Sequence, residues 1–281
     1  MRGAAALVTV AGAIAACGAG APTPPSIASG PTLTAAGVAP GAPLFFPGET
    51  MIWAISVAGV GAGEATLIVG EPGLIGGRDV IAVRSLTESA GALRLLKVVR
   101  DDVTTWIDLG SAQPTAMHAD MRFGDRHVYV ESTFHGNVVD IRHRREGKDP
   151  HDSHMILPLG DVAFDAHAAL GAIRAWEPVV GEQRTLFVFG GRRLWRTVIE
   201  LRGRENIVTA VGSRSALRLE GVATPLKANL EAEPKRPQRQ FTVWLSDDAD
   251  RVPLLLKAYT ELGDVEMALT DYQSPTTVAA R

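Results

Sequence analysis

A single cysteine, Cys17, stands in a chain of 281 residues. No internal disulfide can form from it, and no cysteine-built metal site either. Basic excess is also lacking. The 28 lysines and arginines face 31 aspartates and glutamates, a net charge of −3, which excludes the broadly basic face that nucleic-acid binding demands. Long apolar runs are nearly absent: Ala4–Ala16 is about half of the roughly 20 residues a bilayer-spanning helix needs, and no second run appears. Catalytic motifs are missing too. The alternating glycines of Gly59–Gly63 read as a hairpin turn, since no phosphate-loop lysine and no helix follows them. Gly212-Ser213-Arg214-Ser215 lacks the closing glycine of a nucleophile elbow. The acidic pairs Glu231/Glu233 and Asp247/Asp248 fall in predicted loops, and spacing does not set them across a cleft as glycosidase carboxylates must be. No catalytic residue is assigned and no cofactor is expected.

What is present begins with a secretory layout. Arg2 precedes the apolar stretch, which closes on Ile14-Ala15-Ala16-Cys17-Gly18. This ending resembles the lipobox of bacterial lipoproteins. The resemblance implies that residues 1–16 are removed as a signal peptide, that the Cys17 thiol carries diacylglycerol, and that the new N-terminus is acylated with a palmitate-type chain. More than one chain is what lasting membrane attachment requires. An ordinary cleaved signal or an uncleaved anchor are the alternatives. Gly18, in place of an inner-membrane retention aspartate, directs the expectation to the outer membrane, with the folded body facing the periplasm.

Residues 17–43 read as a flexible linker rich in Pro, Gly and Ala. It carries no charge and has too little apolar surface to order itself, and a coil of that length spans roughly 25–30 Å. A single mostly-β domain is expected over 44–272, with a frayed tail over 273–281. Met51, Trp53, Ile55 and Val57 alternate with smaller or polar residues, a half-buried strand. Further short strands follow with a turn signal every eight to twelve residues, through Val138–His143 and again from Thr185 to Tyr272. One stretch differs: Asp161–Trp176 is alanine-rich with apolar residues at helical spacing, and it predicts the main helix, with Asp161 or Asp165 near its start and Pro178 beyond its end. The fold class expected is mainly β, a large curved antiparallel sheet or partly closed barrel with that helix on its concave side.

The closing segment Phe241-Thr242-Val243-Trp244-Leu245-Ser246-Asp247-Asp248, followed by Arg251-Val252-Pro253-Leu254 and Leu269-Thr270-Asp271-Tyr272, resembles the end of the bacterial family called domain of unknown function 3108. Pro47-Gly48-Glu49, Trp53 and Gly63-Glu64-Ala65 resemble that family's first hairpin. The resemblance spans roughly Phe46 to Tyr272. It implies an exported, mostly-β envelope protein and no particular activity. Ser246–Arg251 reads as a structural hairpin turn, with Arg251 pairing an aspartate.

Three groups of side chains invite chemistry. His151-Asp152-Ser153-His154, with Asp149 and Asp161, offers imidazoles and carboxylates to a metal, but the spacing fits no known site, so a solvated loop is the reading and no metal is assigned. His127 and His143 would approach each other if their strands pair. Arg192, Arg193, Arg196, Arg202 and Arg204 form a basic set able to touch lipid headgroups or an anionic glycan, with a salt-bridged strand face as the favoured reading. The function expected is that of a non-catalytic envelope lipoprotein. Its partners would be the membrane through Cys17, and a lipid or other amphiphile held in a groove of the sheet. The alternative is a scaffold contacting an envelope protein or polysaccharide. A metal-dependent hydrolase ranks last.

Overall fold

The computed structural model of the chain describes residues 45–274, apart from 92–93, 95–97 and 261–262. The predicted signal, Cys17, the linker over 17–43 and the tail from residue 275 lie outside the described residues. The first limb of the sheet comprises β1 (Thr50–Val57), β2 (Val60–Ile75), β3 (Arg78–Ser89), β4 (Val99–Asp108), β5 (Pro114–Phe123), β6 (Arg126–His135), β7 (Val138–Arg145) and β8 (His151–Ile156). The short β9 (Ala163–Phe164) and helix α1 (Ala166–Arg174) follow. The second limb comprises β10 (Gln183–Phe189), β11 (Leu194–Thr209), β12 (Gly212–Pro225), β13 (Arg239–Ser246), β14 (Pro253–Thr260) and β15 (Gly263–Gln273).

Every neighbouring pair is antiparallel except β9 with β10, and β1 joins β15, so that one sheet runs from β8 at one edge to β9 at the other. A twisted sheet of fifteen strands must curl. Here the curl brings the two limbs face to face. Val130 and Phe134 of β6 share a core cluster with Phe189 and Leu194 of β10 and β11, and the Phe134 and Phe189 rings meet edge to face at 6.2 Å. The sheet is curled around its contents without closing as a barrel, since β8 and β9 do not pair.

The period-two pattern works as expected in β1, where Met51, Trp53 and Ile55 are buried and Ala54 is exposed. The Gly59–Gly63 turn is shorter than expected. Only Ala58 and Gly59 form it, both with positive φ, the requirement of a two-residue hairpin turn. Gly61 and Gly63 continue as strand, and Gly63 is glycine for another reason: a Cβ there would lie 2.3 Å from the Glu88 carbonyl oxygen across the ladder. Within β11 a β-bulge at Arg202 shifts the register between Leu201 and Gly203; the extra residue flips the alternation and interrupts the sequence signal.

The helix is shorter than Asp161–Trp176. Ala163 and Phe164 pair with Phe187 and Val188, and Asp165, in extended conformation, caps the helix by accepting the backbone N–H of Ala168 at 3.0 Å and of His167 at 3.3 Å. Ala168, Ala169, Gly171 and Ala172 are buried. Small residues let a helix enter the narrow interior of a curled sheet.

Its last turn is fixed by Arg174. The guanidinium donates to both carboxylate oxygens of buried Glu49, at 2.8 and 2.7 Å, and to the Asp250 carbonyl at 2.8 Å. Tyr272 donates to Glu49 at 3.1 Å. Burial, then the charges of Glu49 and Asp250, push the Tyr272 phenol above its ordinary range, which keeps it a donor. The Ser246–Arg251 turn is structural as expected: Asp248 accepts the backbone N–H of Asp250 and Arg251, and Arg251 pairs with Asp247 at 3.2 Å.

Removing one partner of a buried pair strands the other charge. Glu49→Gln is expected to lower unfolding free energy by about 3–5 kcal/mol in urea titrations. Glu266→Gln breaks the half-exposed pair with Lys257 (3.0 Å) and is expected to cost under about 1 kcal/mol.

Candidate functional site

Helix α1 divides the interior into a polar side and an apolar side. On the polar side, His167 projects from its first turn toward the inner faces of β3 and β4. Its Nε2 lies 2.9 Å from Ser85 Oγ, and its Nδ1 lies 2.8 Å from Thr105 Oγ1. Thr105 in turn donates to the Asp165 carboxylate. All four side chains are buried.

Counting protons assigns the tautomer. Thr105 has one hydroxyl proton and gives it to Asp165, so its oxygen accepts from His167 Nδ1–H. The Nε2 is then the acceptor, and Ser85 donates to it. Burial lowers the His167 pKa, with the Asp165 charge opposing, in keeping with a neutral ring.

A serine donating to an imidazole that is oriented from its other nitrogen is the layout of a hydrolytic triad. Geometry closes it off. Ser85 sits within the regular β3 ladder, 1% exposed, and is not among the residues lining the neighbouring cavity. The network's evident work is to lock the start of α1 onto β3 and β4.

On the apolar side, a cavity of about 80 Å³ lies between α1 and the inner faces of β1, β2, β10, β11 and β13–β15. Ala169, Leu170 and Ile173 form its helix wall, and Leu186, Trp195 and Phe241 line the sheet wall. The Phe241 ring occupies the space over Gly221, where a Cβ would come within 2.1 Å of it. Trp53 donates its indole N–H to the Pro253 carbonyl at 2.8 Å and so presents an apolar ring. Leu170, Ile173, Val188 and Leu255 are only partly buried and mark the side open to solvent. One polar atom stands out: Thr197, a lining residue, has a buried hydroxyl with no hydrogen-bond partner among the described residues.

The other residues singled out by sequence do not assemble. His151–Ile156 is the edge strand β8 and not a solvated loop. Its polarity suits an edge, where charge discourages pairing with other chains. His151 and His154 are three residues apart on a strand and point to opposite faces, so they cannot share a metal; no group of potential ligands converges among the described residues. His127 and His143 also fall on opposite faces. His127 faces outward to Asp120 at 2.5 Å, while His143, paired with Val130, faces inward. The basic set splits. Arg202 pairs with Glu200 and Glu220, Arg204 with Asp247, and Arg193 with Glu233, whereas Arg192 does not join these pairs.

Sequence reading placed His167 only in the helical pattern and missed its network. Asp165-Ala166-His167 at a helix start was a usable signal; Ser85 and Thr105, 82 and 62 residues away from the imidazole, gave none.

The network carries a pH expectation. His143 is also held below its ordinary range by burial and by surrounding cations, Arg192 first. Both imidazoles bind protons less readily folded than unfolded. The unfolded chain therefore takes up more protons below about pH 6.5, and stability, full above that pH, falls on acidification toward 5 by up to about 1.4 kcal/mol per pH unit for each group. Urea titrations between pH 7 and 5 are expected to show this fall, and His167→Gln to flatten it.

A family model described as "Protein of unknown function (DUF3108)" matches residues 50–270. No curated protein matches the chain. Among solved structures, the chain is similar to a beta-barrel-like protein of domain of unknown function DUF1849 from Brucella abortus, at 8% identity and a TM-score of 0.52, covering 80% of this chain and 96% of that one. It also aligns with a protein described as a lipoprotein from Parabacteroides distasonis, at 7% identity and a TM-score of 0.39, over 83% of this chain and 99% of that one. The first likeness shows a shared fold; the second is too distant in shape to show one. With most of the folded residues inside the family match, the chain belongs to DUF3108, a family of unknown function.

Proposed function

We propose that this protein is a non-catalytic lipoprotein of the cell envelope, anchored through Cys17, that holds the alkyl chain of an amphiphile in the cavity beside α1. The observation that carries the reading is the cavity itself. About 80 Å³ is several times the space one water needs, and apolar cavities stay dry and take apolar guests. It is far below the roughly 300–1,000 Å³ of sites for bulky ligands. A space of this size takes a short apolar segment of a guest, with the remainder lying along the open side. The Thr197 hydroxyl behind the lining is buried and unpaired among the described residues, which costs stability.

The envelope location rests on the signal-like N-terminus and Cys17, with Gly18 favouring the outer membrane. Absence of catalysis rests on the enclosure of Ser85. No residue set calls for a cofactor.

The full chain is expected to bind cis-parinaric acid saturably, read by its fluorescence. Ala169→Phe, which fills the helix wall, is expected to weaken binding at least tenfold. Thr197→Val removes the unpaired hydroxyl and is expected to stabilise the ligand-free protein by about 1 kcal/mol. Absence of saturable binding would overturn the reading and leave the scaffold alternative, with capture of an envelope protein or polysaccharide as its test.

A further inference from the structure

A protein of net charge −3 gathers cations at one place on the concave side of its sheet, where Arg126 is half-buried and Arg145 and Arg192 are exposed. On β6, Arg126 shares the inner face with Val128, which pairs with Arg145 of β7. His143 lies two residues before Arg145 on that face and pairs across to His151 of β8. The turn between β10 and β11 arrives from the opposite limb. Gly191, with φ +74°, seats so that a Cβ would meet Met121 and Val130 at 3.9 and 4.0 Å. The next residue, Arg192, is thereby set above the ends of β6 and β7.

The cations are not neutralised from within. Arg126, Arg145 and Arg192 form no ion pair among the described residues, and the nearby Glu233 is engaged by Arg193 and Arg236. His143 Nε2 is buried without a hydrogen-bond partner. Arg192 is exposed at the tip of its turn, yet its guanidinium is held below its ordinary range, first by partial desolvation and then by Arg126, Arg193, Arg236 and Arg145. Like charges so placed repel one another, and an anion among them relieves that repulsion. Arginine forks suit the oxygens of a phosphate group in particular.

We propose that Arg126, Arg145 and Arg192, with the inward imidazole of His143, form a binding site for a phosphate group. The group belongs either to a lipid headgroup or to a free phosphate. The assignment stands on this cluster alone and does not require the apolar cavity to be occupied.

The test uses the full chain and two probes, inorganic phosphate and dihexanoyl phosphatidylglycerol below its micelle concentration, each against chloride at matched ionic strength. Binding is read by the His143 titration in proton NMR and by the thermal midpoint. Phosphate also stabilises proteins generally through exclusion from their surfaces, so Arg126→Gln/Arg192→Gln serves as the comparison and Arg196→Gln, on the outer side of β11, as the control. A bound anion offsets the surrounding arginines and is expected to raise the His143 pKa by about one unit in wild type and Arg196→Gln, with the shift lost in the double variant. Tighter binding of the diester by tenfold or more assigns the group to a lipid headgroup; the reverse order assigns it to a free phosphate. No movement of the His143 titration with either probe, or the same movement in the double variant, would overturn the site.

Discussion

The bidentate contact between Glu49 and Arg174 fixes the interior of this molecule. Two charges taken from water incur a desolvation cost that good geometry and further hydrogen bonds must offset. Here the guanidinium reaches both carboxylate oxygens and the Asp250 carbonyl, Tyr272 adds a donor to Glu49, and the Phe45 and Phe46 rings lie 5.3 and 5.7 Å from the guanidinium carbon. A cation in the last helical turn also complements the helix dipole. The turn before β1, the end of α1, the β13–β14 connection and the last strand thus meet at one buried charge pair. Asp165 and His167 hold the other end of α1 to β3 and β4. A helix pinned at both ends cannot slide to fill the space at its side, which gives a physical reason for the cavity between α1 and the second limb to persist.

The two sides of α1 are sorted by chemistry. Ser85, Thr87, Ser89, Asp101 and Thr105 are buried on β3 and β4, and of these Ser85 and Thr105 reach the helix start through His167 and Asp165. The second limb offers Leu186, Trp195, Ile199, Phe241 and Met267. A buried hydroxyl needs a partner and a buried methyl does not. The polar wall therefore binds the helix by directional contacts at close range, while the apolar wall tolerates a gap. Thr197 on the apolar wall and Thr87 on the polar wall both keep a buried hydroxyl without a partner among the described residues.

Much of the fold was legible because a half-buried strand writes its burial in alternate residues. β1, β4 and β6 follow that pattern, whereas β13 is buried on both faces. The legible features failed where local rules were overridden. A bulge at Arg202 reversed the alternation inside β11, and edge position made β8 polar on both faces. The site was less legible still. The helix was found by its spacing, yet its partners come from β3, β4 and the turn before β1, and nothing in a linear pattern states which strands will face a helix after the sheet curls. Arg174 has no local acceptor in the sequence; its partner Glu49 stands 125 residues earlier. The basic set was read as a strand face, and four of its members do lie on β11 or immediately before it. Arg192 departs because the β10–β11 turn crosses the interior to reach β5 and β6, a contact between opposite limbs that only the curl creates.

That turn also connects the two proposed binding features. Gly190 lines the apolar cavity, and Arg192 stands two residues on, a distance of at most about 7 Å along the chain. An amphiphile with its chain beside α1 and its phosphate among the arginines would touch both ends of one short turn. The chemistry of each half is then complementary to its own wall. Alkyl groups meet the apolar side chains that line the cavity, and the phosphate oxygens meet the arginines. Neither half could substitute for the other: an uncharged chain leaves the arginines opposed, and a free phosphate leaves the cavity empty. Separate measurement of the two contacts therefore separates a site for a whole amphiphile from two unrelated sites that share a turn.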